Sequence, residues 1–352
     1  MRMNEIKIED FVINASSEPF TIAEAGINHN GNLDIAIKMI EAAKKAGVCA
    51  IKFFTYKTEE FIVDSKLEYT YKSQDKDVTE SMKEMFQRCE LTRKDWRKIK
   101  QKCDDEEIIF LSTPENFSDL EFLIELGMKV IKIGSDDFTN IPMIEEFMKS
   151  KLPIIISCGM TNMDEIKTTI TKINKKDDYP IILMITTSQY PTPDEDVNIS
   201  KLISIQNEFP QILTGFSDHT IGNLAASLAV GLNAKVFEKH FTLDNNLPGP
   251  DHWFSASPIE LKKWNDTITK SFVLLGNKEV KPTKIELMNK TMFRRKLVAL
   301  RIIEENEEFS KDNIGMRRTK NNDDYLEFNI AIGHKSKKRI KPGEIIDEKC
   351  IK

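Results

Sequence analysis

Eight short apolar runs recur along this chain, near residues 19–23, 48–54, 107–112, 129–133, 153–157, 181–186, 212–216 and 235–239, and most are followed by a segment with helical periodicity. Strand and helix signals that alternate in this way predict parallel βα units. Closing eight such units takes about 250 residues, and the distance from the first run to the last is of that order. The expectation is an α/β chain built on a (β/α)8 TIM barrel. In such a barrel the C-terminal ends of the strands converge on one mouth. Ionisable and hydroxyl residues stand at or just after the runs, at Glu24, Lys52, Ser112, Lys132, Ser157, Ser217 and His240. Residues as remote in sequence as Glu24 and His240 are therefore expected to share one site.

The chain has 352 residues, longer than a lone barrel by enough for a second domain of about 60 residues. The expected division is a barrel over 1–276, a linker over 277–292 containing Pro282-Thr283, and a small, mostly β domain over 293–352. That last stretch carries short β-like runs such as Leu297-Val298-Ala299-Leu300 and turns such as Lys341-Pro342-Gly343-Glu344. A net charge of −5 offers no basic footprint for nucleic acid. No apolar run approaches the roughly 18 residues needed to cross a bilayer. The start, Met1-Arg2-Met3-Asn4-Glu5, lacks the apolar core and cleavage site of a secretory signal. The five cysteines are odd in number and show no CxxC spacing. Reduced thiols and a cytoplasmic location are the reading.

Residues 1–18 are expected to form a short lead-in strand over the barrel floor. A helix is expected from Leu33 to Ala46, ended by Gly47. After the second run an insertion rich in Tyr, Lys, Asp and Glu extends to about residue 80, and Thr242 to Ser257 follows the eighth run. Long βα loops on the catalytic face usually touch substrate, so both are expected at the mouth.

His219 and His240 fall at the ends of the seventh and eighth runs. Adjacent parallel strands lie under about 5 Å apart, so both imidazoles can reach one ion, with Asp218, Glu238 and Asp251 nearby. Two neutral nitrogens with positions left for oxygen ligands suit Mn²⁺, Zn²⁺, Co²⁺ or Fe²⁺ better than Mg²⁺ or Ca²⁺. Each histidine alone has a plain alternative as a structural side chain. Lys52 and Lys132 lie inside apolar strands, where a charge is costly unless an anion or carbonyl meets it. With Thr113, Ser135, Ser157, Ser188 and Ser217 at other strand ends, they point to a small multi-anionic ligand. A Schiff base requires one lysine with a depressed pKa, and the sequence singles out neither. The acids Glu24, Asp136, Asp137, Glu238 and Asp251 suggest proton transfer or metal orientation, with helix capping or lysine pairing as the plain alternative. Alternation puts Phe54 on the same strand face as Lys52, which favours a sugar platform.

At these residues the chain resembles the sialic acid synthase family, enzymes that condense phosphoenolpyruvate (PEP) with an N-acylated mannosamine-type sugar to give nonulosonic acids of the sialic, legionaminic or pseudaminic type. The likeness runs in order through Ala23-Glu24-Ala25-Gly26-Ile27-Asn28-His29-Asn30-Gly31, Ile51-Lys52-Phe53, Leu111-Ser112-Thr113-Pro114 and Ser157-Cys158-Gly159-Met160. It continues in Tyr190-Pro191-Thr192-Pro193, Phe216-Ser217-Asp218-His219, Glu238-Lys239-His240-Phe241 and Gly249-Pro250-Asp251-His252. The tail resembles the family's antifreeze-protein-like (SAF) domain.

The resemblance implies that Lys52, Thr113, Lys132, Ser135, Ser157 and Ser217 hold PEP, with Ser188 where the family has an Asn. It implies that His219 and His240 bind a divalent metal, most readily Mn²⁺, with Mg²⁺ or Co²⁺ as substitutes. Glu24, Asp137 and Glu238 become candidates for the catalytic base. Tyr190 and Asp251 become sugar contacts, beside Phe54. The family's domain-swapped homodimer implies an arginine lent across subunits, matched by Arg318 with Arg317 next. Several positions depart from the pattern. Phe54 stands where a Gln is usual, Gly134-Ser135-Asp136-Asp137 replaces Pro-Ser-Gly-Glu, and Thr319-Lys320 replaces Pro-Gly. Phe54 cannot hydrogen-bond a sugar hydroxyl, which favours a 2,4-diacetamido-trideoxy hexose over N-acetylmannosamine. The rival readings are a pyruvate aldolase, using a Schiff base or a metal enolate, and a non-catalytic sugar-binding barrel.

Overall fold

Side chains of the strand Ala50–Thr55 alternate between two environments. Ala50 joins an apolar cluster inside a barrel and Lys52 stands above it, while Ile51 and Phe53 pack outward against helices. The period of two follows from the pleat. The same alternation organises the first unit of the computed structural model, which describes residues 5–174, 178–320 and 323–352.

Eight parallel strands make one sheet. They are β1 Phe20–Gly26, β2 Ala50–Thr55, β3 Ile109–Pro114, β4 Ile131–Ile133, β5 Ile154–Ser157, β6 Ile181–Ile185, β7 Leu213–Asp218 and β8 Val236–His240. Their spatial order is β3-β2-β1-β8-β7-β6-β5-β4, and β3 and β4 lie side by side, so the sheet is a nearly closed (β/α)8 barrel. The eight apolar runs are these eight strands.

Outer helices follow the strands: α1 Leu33–Ala46, α2 Arg93–Asp105, α3 Phe117–Glu125, α4 Ile141–Met148, α5 Met163–Ile173, α6 Lys201–Glu208, α7 Leu224–Gly231 and α8 Pro258–Leu275. Their ends carry local signals. The Asn32 side chain accepts from the N–H groups of Asp34 and Ile35 at the start of α1, and Gly47, at φ 80°, closes it. Capping boxes begin α5 (Asn162 with Glu165) and α8 (Ser257 with Glu260). Helix α8 is tied to the first turn of the barrel through Asn265, which accepts from Thr21 Oγ1 at 2.8 Å and donates to the Gly47 carbonyl at 3.0 Å.

The lead-in is an antiparallel hairpin, Ile6–Ile8 with Phe11–Ile13, rather than a single strand. Its Ile6, Ile8 and Ile13 are buried in one cluster with Phe20, Ile22, Leu111 and Val236 from the barrel interior. The floor is therefore a sealed apolar plug, which leaves the opposite end for chemistry.

Residues Asn277–Lys352 form a separate compact unit. The segment expected as a linker contains a helix, Lys284–Phe293, begun by a capping box of Thr283 and Glu286. Beyond it, Lys296–Ala299 pairs antiparallel with Ile314–Arg317 over a core that includes Leu297, Phe309, Ile314 and Ile346. Among the described residues no helix is long and apolar enough to cross a membrane.

The loop after β1 holds His29 fully buried between the rings of Phe53 and Trp96. Burial, and then the neighbouring His252, lower its pKa from the ordinary 6.5 to about 3. His29 is neutral in the fold, whereas in the unfolded chain it takes up a proton below pH 6.5. Its contribution to stability is intact above that pH and falls as the pH drops toward 3, by about 1.4 kcal/mol per unit. We expect His29→Gln to flatten the acid limb of stability by about that slope. Urea unfolding of both proteins between pH 4 and 7 checks it, and parallel pH dependences would refute it.

Candidate active site

Parallel register brings the charged residues together before any loop is considered. Glu24 pairs with Lys52 across β1 and β2, His240 pairs with Glu24 across β8 and β1, and Ser217 pairs with Glu238 across β7 and β8. Lys52 Nζ lies 2.6 Å from Glu24 Oε2 and 3.8 Å from Glu238 Oε2. Lys132 Nζ lies 3.8 Å from Glu238 Oε1 and donates to Ser157 Oγ at 2.8 Å. Lys52 also donates to Thr113 Oγ1 at 3.3 Å, and Ser217 Oγ to Glu238 Oε1 at 3.2 Å. Both lysines and both glutamates are almost wholly buried.

Burial raises the Glu24 carboxyl to about 7, because Lys52, opposed in part by Glu238, only partly offsets the loss of water. Burial would also raise Glu238, but Lys132 and Lys52 outweigh it and hold this carboxyl below its ordinary value. For Lys52 burial acts downward, and Glu238 and Glu24 more than reverse it. Lys132 goes the other way: burial lowers it, and Glu238 does not fully compensate. Gly26, at φ 49°, lets β1 turn away directly beyond this network, and a Cβ there would press on Glu24 Oε1 at 3.1 Å.

A cavity of about 600 Å³ opens over the network. Of the side chains singled out in the sequence, Glu24, Lys52, Phe54, Thr113, Lys132, Ser135, Ser157, Ser188, Tyr190, Ser217, His219, Glu238, His240 and Asp251 all line it. Asp137 does not. Asp136 takes the cavity position, while Asp137 accepts from Asn140 Nδ2 at 2.9 Å at the start of α4. Arg318 belongs to the second unit, where its guanidinium lies 5.5 Å from the Phe293 ring centre. Asp218 faces away from the cavity. Its carboxylate receives Trp264 Nε1 at 2.9 Å and lies 3.1 Å from Lys239 Nζ, so it braces the wall from behind.

The insertion after β2 is a short helix, Thr58–Phe61, an antiparallel hairpin, Glu68–Ser73 with Lys76–Ser81, and a helix, Met82–Cys89. It adds Phe61, Tyr69, Met82, Met85 and Phe86 to the cavity, and with Phe54 and Ile27 these make one side apolar. The insertion expected to end at about residue 80 runs on to Cys89, so Met82, Met85 and Phe86 lie beyond the loop named in the sequence, and Phe61 and Tyr69 lie within it. The segment after β8 is pinned by Thr242 Oγ1 to His252 Nδ1 at 2.7 Å and by Asn30 Nδ2 to the Pro248 carbonyl at 2.7 Å. It delivers Pro250 and Asp251 to the rim.

The ring centres of His219 and His240 are 5.3 Å apart, and Tyr190 packs on both, at 4.3 and 5.4 Å. His219 Nδ1 lies 2.8 Å from the Thr187 carbonyl, a contact that puts the proton on Nδ1 and leaves the Nε2 lone pair toward the cavity. Burial lowers His219 to about 4 and, with the His219 and Lys52 charges, lowers His240 well below its ordinary value. Buried His240 Nδ1 has no hydrogen-bond partner, and Asp251 Oδ2 stands 3.8 Å from it. Two neutral imidazoles with an unmatched buried nitrogen fit a divalent metal. Among the described residues, the group of three acidic, His or Cys donors whose ligand atoms lie mutually within 4.8 Å is a different one, Glu115, Asp136 and Asp137.

Residues 39–280 match the model of the NeuB family. The N,N'-diacetyllegionaminic acid synthase of Legionella pneumophila is 36% identical over 304 residues, covering 85% of each chain. A pseudaminic acid synthase of Campylobacter jejuni is 32% identical over 95% of this chain and 97% of its own. The crystal structure of the sialic acid synthetase of Leptospira borgpetersenii, in complex with citrate, superposes with a TM-score of 0.73 at 31% identity, over 83% of this chain and 98% of that one. With the family model matching over most of the chain and relatives alike along most of their length, this chain belongs to the NeuB family of nonulosonic acid synthases and is an enzyme.

Proposed function

We propose that the enzyme condenses PEP with a 2,4-diacetamido-trideoxy hexose to give a legionaminic-type nonulosonic acid, releasing phosphate. The observation that carries this reading is the two-sided cavity: buried lysines and hydroxyls on one side, aromatic and methionine side chains on the other. The charged side suits a compact multi-anion. The apolar side suits a sugar in which acetamido and methyl groups replace hydroxyls.

In the proposed reaction Lys52 and Lys132, with Thr113, Ser135, Ser157, Ser188 and Ser217, hold the phosphate and carboxylate of PEP. Phe54, Tyr190 and Asp251 orient the sugar. C3 of the enol bonds to the aldehyde carbon, whose oxygen takes up a proton to become a hydroxyl; water adds at C2 and gives up one proton, and the C2–O bond to phosphate breaks as the remaining C2 hydroxyl passes its proton to the departing phosphate and becomes the keto group. A divalent ion on His219 and His240, most readily Mn²⁺, supplies Lewis-acid polarisation of the aldehyde when bound. Glu24 is the best-placed base, since its carboxyl titrates at about 7 and lies 2.6 Å from the Lys52 ammonium. Holding two reactants in one cavity supplies much of the rate. Within Asn277–Lys352, residues 293–352 are read as the antifreeze-protein-like domain, which in a domain-swapped homodimer lends Arg318 to the barrel of a second copy. The setting is cytoplasmic.

Phosphate release from PEP is the primary assay. We expect EDTA-sensitive release with the 2,4-diacetamido-2,4,6-trideoxy sugar and much less with N-acetylmannosamine, and release with neither would sink the proposal. Lys132 has the depressed pKa that a Schiff-base aldolase needs, so borohydride trapping with pyruvate is the companion experiment; trapping without phosphate release would favour the aldolase.

His219→Ala should weaken metal binding by about 10–100-fold or more and abolish metal-dependent turnover. Glu24→Gln should lower kcat by about 10²–10⁴-fold. Because the ionised carboxylate is the base, wild-type kcat should rise with pH through about 7, and the variant should lack that limb. Phe54→Gln is expected to shift the preference toward N-acetylmannosamine. An unchanged ratio of kcat/KM values would remove Phe54 from the specificity argument.

A further inference from the structure

Glu115 follows directly on β3, and Asp136 and Asp137 stand just beyond β4, the strand beside it. One carboxylate oxygen from each lies within 4.8 Å of the other two. Glu115 is only 6% exposed, and neither of its carboxylate oxygens has a hydrogen-bond partner. A buried carboxylate with no donor is costly and calls for a counter-charge. The lysines of the region are engaged elsewhere, Lys52 with Glu24 and Lys132 with Ser157 and Glu238.

We infer that Glu115, Asp136 and Asp137 form a second cation site, built only from oxygen donors and suited to a hard divalent ion, in the wall between β3 and β4. The spacing agrees with this chemistry. Metal–oxygen distances of about 2.0–2.6 Å put two ligands of one ion at most about 5 Å apart, and all three carboxylates meet that limit. Oxygen-only donors select Mg²⁺, Ca²⁺ or Mn²⁺, whereas the imidazoles of His219 and His240 suit softer transition ions.

Local structure supports the arrangement. A Cβ on Gly134 would fall 2.1 Å from Asp136 Oδ1, so the glycine is what lets the Asp136 carboxylate fold back over the loop. Asp137 gives one oxygen, Oδ1, to Asn140 at 2.9 Å, which fixes the orientation of its carboxylate. The site also resolves a conflict of charge. Asp136 lines the same cavity as Lys52 and Lys132, and an uncompensated carboxylate there would repel the anion those lysines are suited to hold.

Terbium is the probe, as a hard ion that seeks oxygen donors. Tb³⁺ luminescence would be titrated on the full-length chain after EDTA treatment and dialysis, and Ca²⁺ and Mg²⁺ would then be added as competitors. We expect a single saturable site per chain that persists in the His219→Ala/His240→Ala double variant. Glu115→Gln should weaken it by about tenfold or more, and so should Asp136→Asn, whose exposed side chain poses no folding risk. Binding unchanged in both acidic variants, lost in the histidine double variant, or absent from the wild type would overturn the inference. The readout is independent of turnover, so the proposed reaction and this site can fail separately.

Discussion

Two ammonium groups and two carboxylates buried at the top of one barrel are the constraint on which the rest of this structure depends. A lone charge at that depth would cost several kcal/mol, so Lys52, Lys132, Glu24 and Glu238 persist only because β-strand register sets each within reach of an opposite partner. The pairing is unequal. Glu24 lies closest to Lys52 yet titrates at about 7, while Glu238, placed between both lysines, stays ionised. One frame therefore holds a carboxylate that can exchange a proton near neutrality beside one that serves as fixed charge.

The two ends of the barrel are specialised in opposite ways by the same alternation. On the floor, inward positions such as Phe20, Ile22 and Val236 meet the Ile6, Ile8 and Ile13 side chains of the lead-in hairpin, and water is excluded. At the mouth, inward positions are ionisable, and the long segments after β2 and β8 enclose them. Asp218 shows how support reaches the site from outside. It points away from the cavity, yet its contacts with Trp264 and Lys239 hold the β7 end that carries Ser217 and His219.

The strands and their mouth-facing residues were legible in the sequence because pleat and periodicity are local. Three features were legible and not read. Alternation alone puts Asp218 opposite to Ser217. Thr283 and Glu286 spell a capping box inside the segment expected as a linker. The aromatics of the insertion marked an apolar wall. The exchange of Asp136 for Asp137 was of another kind, since both lie past the end of a three-residue strand where no period applies. The approach of Glu115 to this pair likewise depends on β3 and β4 meeting when the barrel closes.

The sequence by itself determined the barrel class, the helix ends at Asn32, Gly47, Asn162 and Ser257, and most of the strand-end side chains that reach the mouth, because hydrophobic period and backbone capping act over a few residues. Tertiary structure alone decided the 2.6 Å contact of Lys52 with Glu24, the neutral pair of His219 and His240, and the acidic trio at the ends of β3 and β4. Those depend on register between strands, on closure and on loss of water, and each of these arises only when distant segments pack.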